Sequence, residues 1–378
     1  MARFPKNDII SLIGTAPRYD LGESVGPNLR LNDLLDVSCQ QIFGMELGYG
    51  TAEGNAELRT AIAQAHGVGS DDVVVTVGGM HALFLIAFTL CERGDEAVTA
   101  SPQFPLARNA LDVVGANVRT LRLSFDRGYQ PDLADLRRLL SDKTKLVSLA
   151  SPQNPSGVAI SEKTMSEILG LMADIAPDAY LLMDETYHEA AYGHDPVGPS
   201  AAKLSPKVIS CASLSKCHGA PGLRLGWAIT RDPALREQLV LGKFNTVISC
   251  SPVDELFALR LFRERERIID ERRLRLAQGL ARTSRWVSKN EAFVEWVRPN
   301  AGAICCVRLK SSAFDDDAVT RFYKFVTEEG VRVGDGTWFG EDARVFRLGF
   351  GLLSMSNLDA ALNGLSAAIT RAAREGPL

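Results

Sequence analysis

The sequence has 378 residues, with 42 basic and 46 acidic side chains and a net charge of −4. This balance gives no reason to expect nucleic acid or another polyanion as a partner. The longest apolar run, residues 82–90, is too short to cross a bilayer, and the first residues lack the apolar stretch of a signal peptide. Cysteine and histidine spacings match no metal motif, so we expect no metal site. The scattered cysteines favour a reducing compartment, so we expect a cytoplasmic protein, and we expect no membrane partner.

Strand and helix patterns alternate through the first 230 residues. Residues 1–44 have no clear period and contain many glycines and prolines, so we predict an arm. After it, short apolar runs predict strands at 73–77, 97–100, 118–123, 146–150, 180–183, 208–212 and 225–230. Helical patterns lie between them, at 55–65, 80–91, before 114, at 132–140 and at 162–175. This order predicts a mostly parallel sheet covered by helices on both faces.

The pattern changes after residue 233. A charge-rich helix is predicted at 260–285, followed by strands at 293–297, 303–309, 331–333 and 346–350 and helices at 316–329 and 357–374. The predicted fold class is therefore α/β, with a large domain around a mostly parallel sheet and a smaller α+β domain. We predict an arm over 1–44 that contributes to the small domain and the substrate pocket, a large domain over 45–255, and an interdomain helix with the small domain over 256–378.

One stretch indicates the chemistry. The predicted buried strand 208–212 is followed by Ser213, Ser215 and Lys216, and Arg224 lies eight residues further on. Burial lowers the pKa of a lysine, and a neutral amine is what forms a Schiff base with an aldehyde. Two hydroxyls and a guanidinium can hold a phosphate. Together they predict a site for pyridoxal 5′-phosphate (PLP), although a surface turn that happens to hold these residues explains the stretch alone equally well.

Other candidate residues follow other predicted strands, where ligands of parallel α/β sheets gather. Gly79 and Met80 open a helix whose free N–H groups suit a phosphate, or they form an ordinary tight turn. Phe104 can stack on a ring or fill the core. Asn154 can bond a ring hydroxyl or a carboxylate, or belong to a plain Asn-Pro turn. The sequence assigns no role to His81.

Asp184 ends a predicted buried strand, and Tyr187 follows it. A carboxylate in this position is costly unless a cation lies nearby. A protonated pyridine nitrogen is such a cation, and the pairing makes the pyridine ring an electron sink. A helix N-cap is the alternative role for this aspartate.

In this order the motifs resemble the class I and II aminotransferases, PLP-dependent enzymes of fold type I. The resemblance covers the chain from about residue 45 to the end and comprises Tyr49 to Gly54, Gly79-Met80, Phe104, Asn154-Pro-x-Gly, Asp184-x-x-Tyr187, Ser213-x-Ser-Lys216, Arg224 and Arg347.

The resemblance implies roles around the cofactor ring. Lys216 carries the internal aldimine with PLP and moves the substrate proton. Asp184 pairs with the pyridine nitrogen, while Asn154 and Tyr187 bond the ring hydroxyl. Phe104 stacks on the ring.

The resemblance also implies how the phosphate is held. Ser213, Arg224 and the amides of Gly79 and Met80 bind it. Tyr49 reaches the phosphate of a neighbouring subunit, which implies a homodimer with shared active sites.

For the substrate, the resemblance implies that Arg347 binds the α-carboxylate. The arm touches the substrate in the resembling enzymes, and here it offers Glu23 between flexible glycines. We predict that Glu23 favours a basic side chain, such as that of arginine or ornithine. The alternative is a solvated glutamate, or one paired with Arg18 or Arg30.

The implied activity is PLP-dependent transfer of an amino group from an amino acid to a 2-oxo acid. The same residues also support β- or γ-elimination or a capreomycidine-synthase-like cyclisation. A non-catalytic regulator on the same fold is a third possibility.

Overall fold

The computed structural model describes residues 4–5, 7–12, 16–34, 42, 44–192 and 198–374. Its strands are β1 (Tyr19–Asp20), β2 (Val73–Thr76), β3 (Glu96–Ser101), β4 (Asn117–Arg122), β5 (Thr144–Ala150), β6 (Tyr180–Asp184), β7 (Val208–Ser213), β8 (Gly226–Thr230), β9 (Val294–Val297), β10 (Ile304–Leu309), β11 (Val331–Arg332), β12 (Gly334–Asp335) and β13 (Val345–Gly349). Its α-helices are α1 (Ala56–His66), α2 (Gly78–Leu90), α3 (Pro105–Val114), α4 (Leu133–Leu139), α5 (Glu162–Ile175), α6 (Pro233–Val247), α7 (Pro252–Arg263), α8 (Arg265–Lys289), α9 (Asp316–Glu328) and α10 (Met355–Arg374).

The larger sheet has seven strands in the order β2-β8-β7-β6-β5-β3-β4. All neighbours run parallel except β8, which is antiparallel to both β2 and β7. The strands are apolar on both faces because helices cover both faces. On β5, Leu146 packs in one cluster with Leu85 of α2, while the next residue, Val147, packs in another with Ile168 of α5. The predicted α/β class with a mostly parallel sheet is confirmed.

A second, antiparallel sheet has four strands in the order β12-β13-β10-β9. Its core lies against α9 and α10 and includes Phe322, Phe346 and Leu365. The arm joins this unit, because β1 pairs in parallel with β11 and Leu21 is buried in the same core. The amide of Gly349 also donates to the carbonyl of Leu21, with 2.7 Å between nitrogen and oxygen. These contacts lead the arm to the carboxyl end of β13.

The region after β8 differs from the expectation. The segment 260–285, predicted as one helix, covers the end of α7 and most of α8, and these two helices meet at Glu264. The helix α6 was not predicted. The apolar residues of α6 do not define one buried face: Leu235 and Leu239 are buried, whereas Phe244 is exposed. The domain division stays a prediction, and its boundary at 255/256 falls inside α7. No helix in the described part of the chain is long and apolar enough to span a bilayer.

Candidate active site

The carboxyl ends of β2, β5, β6 and β7 lie along one edge of the large sheet, and the antiparallel β8 begins there. Gly226, the first residue of β8, pairs with Thr76 on one side and Ser213 on the other. A Cβ atom at this position would lie 2.6 Å from the amide nitrogen of Gly79. Glycine therefore allows the first turn of α2 to rest against β8, next to the end of β7.

A candidate anion site lies where α2 begins. Gly78 has a φ of +71°, and a Cβ atom on it would lie 2.8 Å from Nη2 of Arg224. A Cβ atom on Gly79 would lie 3.8 Å from Oγ of Ser213. The guanidinium is also tied to its own loop, since Nη1 donates to the carbonyl of Pro221 at 2.8 Å. Free helix N–H groups, a hydroxyl and a guanidinium meet here, as a phosphate requires.

Asp184 lies at the end of β6, in register with Cys211 of β7. Its Oδ1 accepts a hydrogen bond from the amide of Thr186 at 2.9 Å. Burial raises the pKa of the Asp184 carboxyl, and the hydrogen bonds from Thr186 oppose this effect. A carboxyl in such surroundings is stabilised in its ionised form by a nearby cation.

Lys216 follows β7 by three residues. Burial lowers the pKa of its amine to about 8, and the positive charges of Arg347 and Arg224 act in the same direction. The carboxylates of Glu23 and Asp184 oppose that shift. The lysine is therefore within electrostatic reach of four predicted site residues, and near neutral pH a usable fraction of its amine carries no charge.

Arg347 is only 1% exposed and lies on β13. Its Nη1 donates to Oδ1 of Asn154 at 2.9 Å, and its Nη2 donates to the carbonyl of Gly22 in the arm. Its guanidinium carbon lies 4.5 Å from the ring centre of Phe339. Nε has no hydrogen-bond acceptor in the described structure. A buried donor without a partner is costly, and a carboxylate would satisfy it.

Tyr187 is buried at the same place and donates its phenol to Oγ of Ser24, with 3.0 Å between the oxygens. Burial raises its pKa to about 12, so the phenol keeps its proton at neutral pH. Two arm residues, Gly22 and Ser24, are thus held by side chains of the site, and Glu23 lies between them. Asn154 and Tyr187, which were expected beside a ring hydroxyl, have protein partners in this structure.

Two predicted residues take no part in the hydrogen bonds of this cluster. Phe104 is half-buried and immediately precedes α3. The backbone amide of its neighbour Gln103 donates to the carbonyl of Phe339, with 3.0 Å between nitrogen and oxygen. This bond brings the turn close to Arg347, which Phe339 contacts. Tyr49 is 84% exposed and contributes nothing to the site of its own chain.

His81 does not serve the anion site. Its Nδ1 accepts a hydrogen bond from the amide of Val77 at 3.2 Å, and its Nε2 lies 3.1 Å from Oγ1 of Thr246 on α6. Burial lowers its pKa to about 4, helped by the charge of Lys243, so the ring is neutral near pH 7. His81 therefore binds the backbone amide of the residue that precedes α2 and links α2 to α6. Met80, in the same turn, packs partly into the apolar cluster beneath α2.

Several residues that contact or shape the site were not predicted from the sequence. Gly22 and Ser24 contact Arg347 and Tyr187, Phe339 lies against the arginine, and Gly226 makes room for α2. The sequence signal for Phe339 is the segment Asp335-Gly-Thr-Trp-Phe-Gly340, which resembles a Pro-Gly-x-x-Phe-Gly loop of the class I and II aminotransferases with aspartate in place of proline. The others become visible only when segments distant in the chain are brought together.

The sequence matches the family model "Aminotransferase class I and II" over residues 20–365. The chain belongs to the class I and II aminotransferase family.

Capreomycidine synthase from Streptomyces vinaceus is 30% identical over 333 residues, which cover 88% of this chain and 82% of that protein. Arginine–pyruvate transaminase from Pseudomonas aeruginosa is 28% identical over 188 residues, about half of each chain: 48% and 47%. A PLP-dependent aminotransferase from Streptococcus suis superposes with a TM-score of 0.90 at 25% identity, over 99% of this chain and 100% of that one. The family uses PLP, so PLP is the cofactor of this family member.

The residues of this aminotransferase family member fit that cofactor. The space that a Cβ atom at Gly78 would fill is bordered by Arg224, which suits a phosphate. The carboxyl of Asp184 is buried with a raised pKa, and a pyridinium would stabilise its ionised form. The pKa of Lys216 is lowered, so part of its amine is neutral and able to react with an aldehyde. Among the described residues, no group of three or more His, Cys, Asp or Glu side chains could hold a metal ion.

Proposed function

We propose that this protein is a PLP-dependent aminotransferase that moves the amino group of an amino acid to a 2-oxo acid. The observation that carries the proposal is Lys216, an amine with its pKa lowered to about 8, within electrostatic reach of Asp184 and Arg347. These three side chains supply a base for Cα, a partner for the cofactor and a clamp for the substrate carboxylate. PLP, when bound, supplies an electron sink for the electron pair left on Cα.

The chain itself moves the protons. The amine of Lys216 would take the proton from the substrate Cα as a general base and would hold it for return as a general acid. Asp184 would stabilise a positive charge on the pyridine nitrogen of bound PLP. Ser213, Arg224 and the amides of Gly79 and Met80 would hold its phosphate, and Phe104 would lie against its ring, so that these residues orient the cofactor relative to the lysine.

Arg347 orients the substrate. Its buried Nε lacks an acceptor, while Asn154 holds Nη1 and the ring of Phe339 lies against its guanidinium carbon. The planar fork is thereby prepared for an α-carboxylate. Tyr187, protonated at neutral pH, donates a hydrogen bond either to Ser24 or to the ring hydroxyl of the cofactor.

The substrate side chain is proposed to be basic. Glu23 has no hydrogen bond or ion pair among the described contacts, and it lies between two arm residues that are fixed at the site. A carboxylate at a half-buried position favours a guanidinium or ammonium partner. The name of one relative, arginine–pyruvate transaminase, points to the same class of amino donor.

The test is a half-reaction screen with purified holoenzyme. Basic, acidic and aromatic amino acids are supplied without an acceptor, and formation of pyridoxamine phosphate and 2-oxo acid is measured. We expect one equivalent of 2-oxo acid per site, with basic donors fastest, and a Glu23→Gln variant that loses this preference. If no donor yields a 2-oxo acid, the aminotransferase proposal is wrong. If basic donors are no faster than others, only the role of Glu23 is wrong.

A second candidate is cyclisation of an amino acid, because the similarity to capreomycidine synthase extends over 88% of this chain. Cyclisation keeps the α-amino group in the product, whereas transamination removes it. Mass spectrometry of products from a basic substrate therefore separates the two. A nitrogen-retaining product with no pyridoxamine phosphate would favour the cyclase.

We also propose a homodimer with shared sites. Exposed apolar side chains lie on α2 and α6, at Phe88 and Phe244, and Ile248 and Tyr49 are exposed as well. Burying such side chains stabilises association. Mixing Tyr49→Phe subunits with Lys216→Ala subunits should restore one native site per heterodimer. No recovery, despite demonstrated subunit exchange, would mean that one chain builds each site.

A further inference from the structure

Arg272 of α8 lies where the arm meets the loop that carries the catalytic lysine. Its Nη1 donates to the carbonyl of Pro27 in the arm at 2.8 Å, and its Nη2 lies 3.4 Å from the carbonyl of Lys216, to which it donates. One planar side chain thus contacts both segments. No sequence motif indicates a role for this arginine.

Two glycines make room for the guanidinium. A Cβ atom at Gly219, which has a φ of +70°, would lie 2.3 Å from Nη1 of Arg272. A Cβ atom at Gly26 would lie 2.9 Å from Nη2. The guanidinium is therefore enclosed between the lysine loop and the arm, at positions where any larger residue would displace it. This enclosure indicates a fitted contact, unlike that of a solvated surface arginine.

The charge of Arg272 is not used in an ion pair. Among the described residues no carboxylate forms a salt bridge with it, and burial lowers its pKa. A partly buried cation bound only to backbone carbonyls gives little stability through charge. Its contribution is the geometry of two donors in a fixed fork, which a lysine cannot reproduce.

The arm segment held in this way is the one that reaches the substrate site. The amide of Leu29 donates to the carbonyl of Gly219 at 2.8 Å, so the arm is bound to the lysine loop two residues after the Pro27 carbonyl that Arg272 holds. A few residues earlier, Ser24 accepts the hydrogen bond from Tyr187. Any displacement of the arm at Pro27 therefore changes the distance between Ser24 and the site.

We propose that Arg272 is a positioning residue that holds the substrate-contacting arm and the Lys216 loop at fixed positions relative to each other. Without it, the arm separates from the lysine loop and water enters beside the amine. The catalytic chemistry stays with Lys216, and Arg272 acts through the placement of its backbone.

The experiment compares Arg272→Gln with a matched control, Arg275→Gln. Arg275 lies on the same helix and also donates to backbone carbonyls, at Gly351, Leu352 and Leu353, but contacts neither Lys216 nor Pro27. Hydrogen–deuterium exchange is measured on the apoprotein, so the readout does not depend on transamination. We expect peptides covering residues 20–30 to exchange at least tenfold faster in Arg272→Gln, and at the wild-type rate in Arg275→Gln.

A second readout follows the amine itself. The pH dependence of Lys216 acylation in the apoprotein measures the pKa of this amine, which we expect near 8 in the unsubstituted chain because burial lowers it. Water entry should move the midpoint upward in Arg272→Gln and leave it unchanged in Arg275→Gln. If Arg272→Gln fails to fold, Arg272→Lys is used, since it keeps the charge but cannot span both carbonyls. Unchanged arm exchange in the Arg272 variant, or equal changes in both variants, would overturn the proposal.

Discussion

The two sides of the site are built in different ways. On the cofactor side, Gly79, Asp184 and Ser213 lie at or next to the carboxyl end of a strand of the large sheet, where their positions follow from the strands. On the substrate side, Arg347 contacts Asn154 and Gly22, which lie 193 and 325 residues away in sequence. The first side is a rigid edge of a hydrogen-bonded sheet, while the second depends on an arm held by a small number of hydrogen bonds.

We expect this difference to separate chemistry from selection. The residues of the cofactor side follow strands of the large sheet, which cannot shift without breaking hydrogen-bond ladders. Gly22 and Ser24, which contact Arg347 and Tyr187, lie on the arm outside β1 and can adjust more easily. Changes on the sheet side should therefore affect turnover, and changes on the arm side should affect substrate binding.

The largest effect is expected from Lys216→Ala, which removes the amine on the sheet side. We expect no activity and no cofactor fixed to the protein by borohydride, measured by peptide mass mapping. Lys243→Met is the matched control because Lys243 is also fully buried but lies on α6. If the cofactor is still fixed to the Lys216→Ala protein, another lysine is the carrier.

Asp184→Ala tests the second residue of the sheet side. Its charge matters most when negative charge develops on the ring, so we expect a loss of about 3 kcal/mol or more of transition-state stabilisation, which is about 150-fold or more in kcat. The cofactor should still bind, through the phosphate site. Near-normal kcat in a folded, cofactor-saturated variant would show that the sheet edge does not control the chemistry in this way.

Arg347→Ala and Arg347→Lys test the substrate side. We expect KM for amino acids to rise about a hundredfold in the alanine variant and about tenfold in the lysine variant, because lysine keeps the charge and loses the fork. Steady-state kinetics with saturating cofactor measures both. A fall in kcat with KM unchanged would place Arg347 with the catalytic groups and remove the distinction between the two sides.

Gly78→Ala tests the phosphate site. The new Cβ atom would lie 2.8 Å from Nη2 of Arg224, at a φ of +71°. We expect PLP to bind about tenfold more weakly, a loss of about 1.4 kcal/mol, as measured by titration of the apoprotein. Gly222→Ala is the control, since a Cβ atom there meets nothing within 4 Å. Equal affinity in both variants would contradict the placement of the phosphate.

The smallest expected effect is on the pKa of Lys216, a residue of the cofactor side that the arm residue Glu23 influences. With its pKa lowered to about 8, Lys216 is mostly protonated at pH 7 and mostly neutral at pH 9. The rate of PLP capture by the apoprotein should therefore rise about tenfold between these values and level off, whereas an unshifted lysine would give about a hundredfold rise. Glu23 raises this pKa, so Glu23→Gln should move the midpoint lower. An unmoved midpoint would place Glu23 away from the amine.

Much of the cofactor side could be predicted from the sequence. Short apolar runs predicted the strands of the large sheet to within about two residues, because burial on both faces leaves a local pattern. Asp184 follows such a run directly, and Lys216 comes only a few residues after one, so the rule that ligands gather at strand ends made them candidates. Their roles came from the family resemblance, because a helix N-cap and a surface turn explained the two residues equally well on their own.

Local sequence patterns specify the succession of strands and helices along the chain, the α/β class and the polar residues at the strand ends, since all of these depend on neighbours within a few residues. The packing of distant segments sets the antiparallel direction of β8, the contact of His81 with Thr246, and the contacts of Gly22 and Ser24 with Arg347 and Tyr187. The lowered pKa of Lys216 belongs to the same group, because burial and charges from distant segments produce it. Contacts between residues hundreds of positions apart depend on how whole elements pack, and no local sequence pattern predicts them.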